Sequence, residues 1–151
     1  MDFYSEALSD FEEGSYIVSP DLGSRGRAQK VADRLICKTA LGSKVRDPKT
    51  GELSGFDIDV EDFKGKDCYI IDDCCDNGGT FIGLANVMKE RGCGNIHLIV
   101  THATFPGGFK KLAKVFKTIT CTNSIYTKVP VEDEKGSEIL RILKLSEVCR
   151  L

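Results

Sequence analysis

The stretch Tyr69-Ile70-Ile71-Asp72-Asp73-Cys74-Cys75-Asp76-Asn77-Gly78-Gly79-Thr80 constrains this chain more than any other. A short apolar run opens it, two adjacent carboxylates interrupt it, and a glycine pair precedes an amphipathic segment from Phe81 to Arg91. The apolar run reads as a strand buried on both faces, and the helical spacing after the glycines reads as a helix that stops at Gly92. Strand, acidic bend, glycine turn and helix in that order are the parts of an α/β ligand site. Ligands of open α/β sheets gather outside the carboxyl ends of the strands.

The residue types narrow the ligand. Asp72 and Asp73 offer several acceptor lone pairs, and a vicinal diol offers two matching donors. A hydrated Mg²⁺, which is held by one or two carboxylates, also fits. Gly78 and Gly79 allow close backbone approach, and the amides around Asn77 to Thr80 open a helix whose dipole favours an anion. Carboxylates for hydroxyls beside amides for a phosphate predict a phosphorylated sugar. Two such acids without a partner would repel one another. No Lys-Ser or Lys-Thr follows the glycines, so this is not a Walker A loop, and no G-x-G-x-x-G turn supports a dinucleotide.

Upstream, Asp2 to Glu13 sets Phe3, Ala7 and Phe11 on one helical face, with Gly14 as the stop. Tyr16 to Ser19 reads as a strand closed by Pro20. Asp21-Leu22-Gly23-Ser24 reads as a tight loop, and Arg25 to Ile36 as a helix with Ser24 at its N-cap. A second strand closes at Thr39-Ala40-Leu41. Residues 42–56 lack periodicity and carry Gly42, Pro48, Gly51 and Gly55 among charges, which predicts a long mobile loop with a functional role. Phe56 to Val60 alternates apolar and acidic residues as a half-exposed strand does. Asn95 to Val100 reads as a buried strand leading into Thr101-His102, Phe109 to Phe116 as a basic amphipathic helix, and Thr118 to Thr122 as a strand. Lys128 to Ser137 is polar and reads as loop, and Ile139 to Leu145 as the last strand. Strands alternating with helices predict one α/β domain over residues 1–151. Its architecture is a three-layer, open, mostly parallel twisted sheet with helices on both faces, because each parallel crossover must be covered by a helix.

Composition removes several function classes. A net charge of −2 speaks against a broad nucleic-acid-binding face. No apolar run approaches the roughly 18 residues of a membrane span, and the acidic N-terminus has no signal-peptide core, so a cytoplasmic location without membrane contact is expected. The seven cysteines contain no CxxC pair and fall partly in apolar runs, which suits reduced core thiols better than disulfides or zinc ligands. Cys75 lies in the acidic bend, where neighbouring Asp residues would raise a thiol pKa and blunt it as a nucleophile. Of the two histidines, His97 is expected to be structural, and His102 ends its strand at the functional edge.

The stretch Ile70 to Thr80 resembles the phosphoribosyl pyrophosphate motif of type I phosphoribosyltransferases, with two apolar residues, two acids and a short Thr/Gly-rich phosphate loop. Asp76 and its surroundings resemble one branch more closely, the ribose-phosphate pyrophosphokinases (phosphoribosyl pyrophosphate synthases). Ser19 to Ser24 resembles that branch's pyrophosphate loop, and Ala32-Asp33-Arg34-Leu35 continues the likeness. Lys44-Val45-Arg46 is similar to its catalytic Lys-x-Arg pair. Thr101 to Phe105 and Thr122 to Ile125 resemble its later signatures. The family's pyrophosphate loop usually has a second glycine where Ser24 stands, followed soon by a basic residue, and its phosphate loop favours Thr where Asn77 stands. The likeness runs from about Tyr16 to Leu145 and covers only the C-terminal half of such enzymes.

The resemblance implies roles. Asp72 and Asp73 would hold the ribose diol; Asp76, Asn77, Gly78, Gly79 and Thr80 the 5-phosphate; and Asp21, Leu22, Gly23 and Ser24 the pyrophosphate. Lys44 and Arg46 would be catalytic, on a loop that closes over the substrates. Mg²⁺ would be held at Asp21, with Asp72 and Asp73 reaching it through water or the ribose hydroxyls. The reaction implied is ATP plus ribose 5-phosphate to AMP plus phosphoribosyl pyrophosphate. A homo-oligomer or a separately encoded N-terminal half would complete the site. A phosphoribosyltransferase acting on a nucleobase and a non-catalytic regulatory homologue remain as alternatives.

Overall fold

The computed structural model describes residues 3–106, 109–125 and 137–148. The element order is α1 (Phe3–Ala7), β1 (Tyr16–Ser19), α2 (Arg25–Leu35), β2 (Lys38–Arg46), β3 (Leu53–Ile58), β4 (Cys68–Cys75), α3 (Gly79–Glu90), β5 (Ile96–Ala103), β6 (Thr118–Thr122), β7 (Leu140–Leu143) and α4 (Leu145–Val148). Short 3-10 turns occupy Leu112–Lys114 and Ser137–Ile139. The strands form one seven-stranded sheet in the order β3-β2-β1-β4-β5-β6-β7, parallel throughout except for β3, which runs antiparallel to β2 at the edge.

The central strands are apolar on both faces because both faces are covered. Successive strand residues point to opposite sides, and the pairs Ile17/Val18, Ile70/Ile71 and Leu98/Ile99 divide accordingly. Val18, Ile70 and Leu98 pack beneath Phe81, Leu84, Ala85 and Met88 of α3. Ile17, Ile71 and Ile99 pack beneath Ala28, Val31 and Ala32 of α2, with Phe3 and Ala7 of α1 and Val148 of α4 extending that layer. Each fully buried isoleucine or leucine contributes about 1.5–3 kcal/mol, so these two layers hold the sheet between them. The expected three-layer architecture is the one observed.

The chain leaves β1 toward β2 on one side and resumes at β4 on the other, then continues outward through β5, β6 and β7. The winding direction therefore reverses between β1 and β4, and the crevice at their carboxyl ends is where such sheets bind ligands. The loop after β1 and the acidic pair of β4 meet at that point.

Three expectations need correction. Residues 42–56 are not an irregular loop: β2 and β3 form a hairpin with Gly42 opposite Ile58, Lys44 opposite Phe56 and a register shift at Val45/Arg46. Only the connection over 47–52 lies outside the strands; there the Asp47 carboxylate accepts the amides of Lys49 at 2.7 Å and Thr50 at 3.0 Å. The acidic pair does not sit in a bend either, because β4 remains paired with β5 through Cys75 opposite Ala103. Finally, Phe109 to Phe116 forms one 3-10 turn rather than a helix, since Phe109, Leu112 and Phe116 all reach the core without it. The polar loop expected at Lys128 to Ser137 lies, over 128–136, outside the described residues, as does Cys149. No helix among the described residues is long and apolar enough to cross a membrane.

Candidate functional site

An open pocket of about 360 Å³ lies at the carboxyl ends of β1 and β4, lined by Asp21, Lys44, Asp72, Cys74, Phe81 and residues 76–80. Four segments far apart in sequence converge there: the loop after β1, the β2 strand of the hairpin, the end of β4 and the first turn of α3. Asp72 and Cys74 are two apart on β4 and so share a face, which is why both reach the pocket.

The phosphate end is built from backbone. Gly78 adopts φ +75°, and a Cβ there would lie 2.6 Å from Leu112 Cδ2, so both conformation and space call for glycine. This turn starts α3, whose first-turn amides have no acceptor within the helix, and Gly79, Thr80 and Phe81 of that turn line the pocket. The Asp76 carboxylate is engaged on the other side of the turn, where Thr104 Oγ1 donates to its Oδ1 at 2.6 Å and Asn77 Nδ2 to its Oδ2 at 3.2 Å. Asp76 thereby braces the glycine turn against the segment after β5.

The loop after β1 is tied internally. Ser24 donates its amide to Asp21 Oδ1 at 3.2 Å and its hydroxyl to the same oxygen at 3.3 Å, while Ser19 Oγ donates to the Asp21 carbonyl at 2.6 Å. The serine that replaces the expected second glycine is thus a buried strut that orients the Asp21 carboxylate. It occupies the N-cap position of α2 without making a side-chain cap bond. Its hydroxyl and amide face Asp21, whereas the sequence suggested them as donors to a ligand. Gly23 and Leu22 stand outside the pocket lining, and Leu22 projects into solvent.

The hairpin carries Lys44 over the pocket because β3 is pinned to α3. Phe56, opposite Lys44 in the ladder, packs its ring onto Gly83, where any Cβ would overlap it. Arg91, at the end of α3, bridges to Asp57 and donates to the Ile58 carbonyl and, at 3.0 Å, to that of Val60. Arg46 is placed differently: it donates to the Gly51 carbonyl at 3.1 Å within the turn and does not line the pocket.

The acidic pair has a partner that sequence reasoning missed. Arg27 of α2 bridges Asp72 at 3.1 Å and Asp73 at 3.2 Å. A signal was available: the resemblance noted above implies a basic residue soon after this loop, and Arg25 and Arg27 both follow Ser24. Burial, then the charges of Asp73 and Asp21, push the Asp72 carboxyl above its usual range against the pull of Arg27 and the Asp73 amide. Asp73 is mostly solvated; what little burial it has is outweighed by Arg27, and its pKa is lowered. Tyr4 of α1 stands beside Arg27, and its hydroxyl pKa is raised mainly by burial.

Cys75 is buried and its thiol is pushed up to about 12, by burial first and Asp76 second, so it is no nucleophile. Cys74 is exposed at the pocket, its pKa also raised by desolvation and by the adjacent carboxylates. The described cysteines are all free thiols. His102 Nδ1 shares a 2.7 Å hydrogen bond with Ser124 Oγ, outside the pocket lining. His97 is half-buried at the opposite end of β5, stacked on Tyr69 with ring centroids 4.4 Å apart.

The chain also resembles known proteins over most of its length. Residues 3–134 match the family of the phosphoribosyl transferase domain. A ribose-phosphate pyrophosphokinase of Clostridium tetani is 33% identical over 148 residues, covering 97% of this chain and 44% of that protein. The enzyme of the same name from Agrobacterium fabrum is 37% identical over 126 residues, covering 82% of this chain and 40% of that protein. The crystal structure of a phosphoribosylpyrophosphate synthetase from Mycobacterium smegmatis superimposes with a TM-score of 0.75 at 27% identity, over 97% of this chain and 45% of that one. The chain therefore spans less than half the length of the relatives it matches.

Proposed function

The chain belongs to the phosphoribosyl transferase domain family, and on that premise we propose that it binds ribose 5-phosphate and phosphoribosyl pyrophosphate as part of a ribose-phosphate pyrophosphokinase. The observation that carries this reading is the convergence of Asp21, Lys44, Asp72 and the glycine turn on one pocket at the reversal point of the sheet. Asp72 and Asp73 accept the ribose 2- and 3-hydroxyls, and the amides of residues 77–80 receive the 5-phosphate. Asp21, held by Ser19 and Ser24, faces the pyrophosphate side. Lys44 brings a positive charge to the pocket from β2, while Arg46 steadies the connection between β2 and β3.

The donor set fits Mg²⁺. Carboxylates outnumber cations in the lining, so a polyphosphate enters only with a counter-charge of its own. Mg²⁺ is commonly held by one or two carboxylates and by the phosphates it accompanies. Asp21 and Asp72 are the residues that would hold it; when bound, it neutralises phosphate charge. What the chain itself contributes is orientation and exclusion of water, the main requirements of phosphoryl-type transfer.

The nucleotide is ATP in this reading, and its pocket is completed by a separately encoded N-terminal half or by another copy of the chain. Incubation with ribose 5-phosphate and Mg-ATP, alone and with such a partner, is expected to yield AMP and phosphoribosyl pyrophosphate in equal amounts. Absence of AMP in both cases, with pyrophosphate released from phosphoribosyl pyrophosphate by a nucleobase, would replace this reading with a phosphoribosyltransferase.

A further inference from the structure

We propose that Arg27 is a positioning residue for the diol contact: anchored on Asp73, it turns the Asp72 carboxylate so that its other oxygen is presented to the sugar, and so sets the preference for ribose over 2-deoxyribose phosphates. The inference rests on the reading of the acidic pair as the diol acceptor and names a determinant of its specificity.

The geometry is particular. Arg27 Nη1 donates to Asp72 Oδ1 at 3.1 Å, and Nη2 donates to Asp73 Oδ2 at 3.2 Å. Asp72 Oδ1 also accepts the Asp73 amide at 2.9 Å. The bridge engages one oxygen of each carboxylate and leaves Asp72 Oδ2 outside it; Asp72 lines the pocket, and Asp73, the next residue along the strand, does not. A planar guanidinium holds two carboxylates at a fixed separation; an ammonium offers a point charge and no such template. Without the fork, adjacent like charges would rotate apart.

Arg27 is itself held in place. It lies in the first turn of α2, followed immediately by Ala28, which is buried against the sheet, and Tyr4 of α1 stands on its other side. It does not line the pocket, so it acts through the carboxylates rather than on the ligand. The phosphate end lies at the glycine turn, built from other elements, and a change at Arg27 leaves that end intact.

The test is calorimetric titration of ribose 5-phosphate and of 2-deoxyribose 5-phosphate into wild type, Arg27→Gln and Arg27→Lys, at one pH and one Mg²⁺ concentration. Wild type is expected to favour ribose 5-phosphate by about tenfold or more, the worth of one hydrogen bond to a charged acceptor. Arg27→Gln is expected to reduce that preference to within about threefold, chiefly through weaker ribose binding, and Arg27→Lys to lower it by at least about threefold because the fork is lost. An unchanged preference in either variant overturns the proposal. Equal weakening of both sugars in the variants also overturns it, since that is the mark of a general charge or folding role; so does tighter ribose binding, the mark of a competing cation. If Arg27→Gln does not fold, Arg27→Lys decides alone. A wild type that binds both sugars equally sinks the diol reading and the role of Arg27 together, and it is told apart because it needs no variant.

Discussion

The two edges of the sheet make a useful contrast. The amino edge holds the larger cavity, about 690 Å³, with Tyr16, Ile36, Lys38, Phe63 and Lys66 in its lining; the carboxyl-edge pocket is about half that, near 360 Å³. At the amino edge the charges are scattered and mixed, and no helix begins there. At the carboxyl edge a carboxylate from each of two strand ends, a lysine from a hairpin and the open amides of a helix face one another. Convergence of complementary groups, rather than volume, marks the site. Backbone strain does not single it out either: among non-glycine residues with positive φ, Ile36 and Lys64 line the amino-edge cavity and Phe105 lies near the other edge.

The sharpest way to break this contrast is to neutralise the acidic pair. Asp72→Asn with Asp73→Asn is expected to weaken ribose 5-phosphate binding about a hundredfold, as loss of two hydrogen bonds to charged acceptors requires. The fold should survive, because burial and the charges of Asp73 and Asp21 already disfavour the charged form of Asp72 in the folded chain. Calorimetry and thermal unfolding of the same sample check both halves; a collapsed fold would make the pair structural.

A second test strikes the support of the site from a distance. Gly83→Ala drives a methyl group into the Phe56 ring, an overpacking worth about 1–3 kcal/mol of stability. Because Phe56 lies opposite Lys44, turnover should fall more than ribose 5-phosphate affinity does. Equal loss of the two in kinetic and binding assays would mean that the hairpin is not held through this contact.

These contrasts bear on what can be read from the chain alone. The alternation of strands and helices, the two helix layers and the acidic-glycine turn follow from local patterns: apolar runs buried on both sides, period-3.6 stripes, and glycines before a helix. The hairpin did not show, because Val45 and Leu53 are exposed and residues 42–56 carry no alternation. What holds it is tertiary, namely Phe56 on Gly83 and Arg91 on Asp57. The segment Phe109 to Phe116 misled for the opposite reason: three apolar anchors at helical spacing are buried equally well by a single 3-10 turn, with Phe105 packed on Phe109 at 4.8 Å between ring centroids. Arg27 was visible as a basic residue after the loop, but its partners lie 45 and 46 positions away, and only the fold brings them together.

Smaller effects probe the amino edge. Ile36 is 93% exposed at φ 52°, a left-handed conformation that a β-branched residue tolerates poorly. Ile36→Gly should therefore raise stability, by about 0.5–1 kcal/mol, and leave sugar-phosphate binding unchanged; altered binding would show that this edge communicates with the site. The least effect is expected at His97, whose pKa is lowered by burial although Asp67 pulls the other way. Below the ordinary histidine value near 6.5 the unfolded chain takes up a proton that the folded chain refuses, so stability falls as pH drops through that window. His97→Gln should flatten that dependence in denaturant titrations at successive pH values, and an unchanged slope would assign it to other groups.

The most direct measurement of the central claim is an amide-resolved NMR titration with ribose 5-phosphate and Mg²⁺. Shifts are expected to concentrate at Asp72 to Thr80, with further changes at Asp21 to Ser24 and at Lys44, and none around Tyr16, Ile36 to Lys38 or Lys64 to Lys66. Shifts confined to that second group, or no shifts at millimolar ligand, would contradict it.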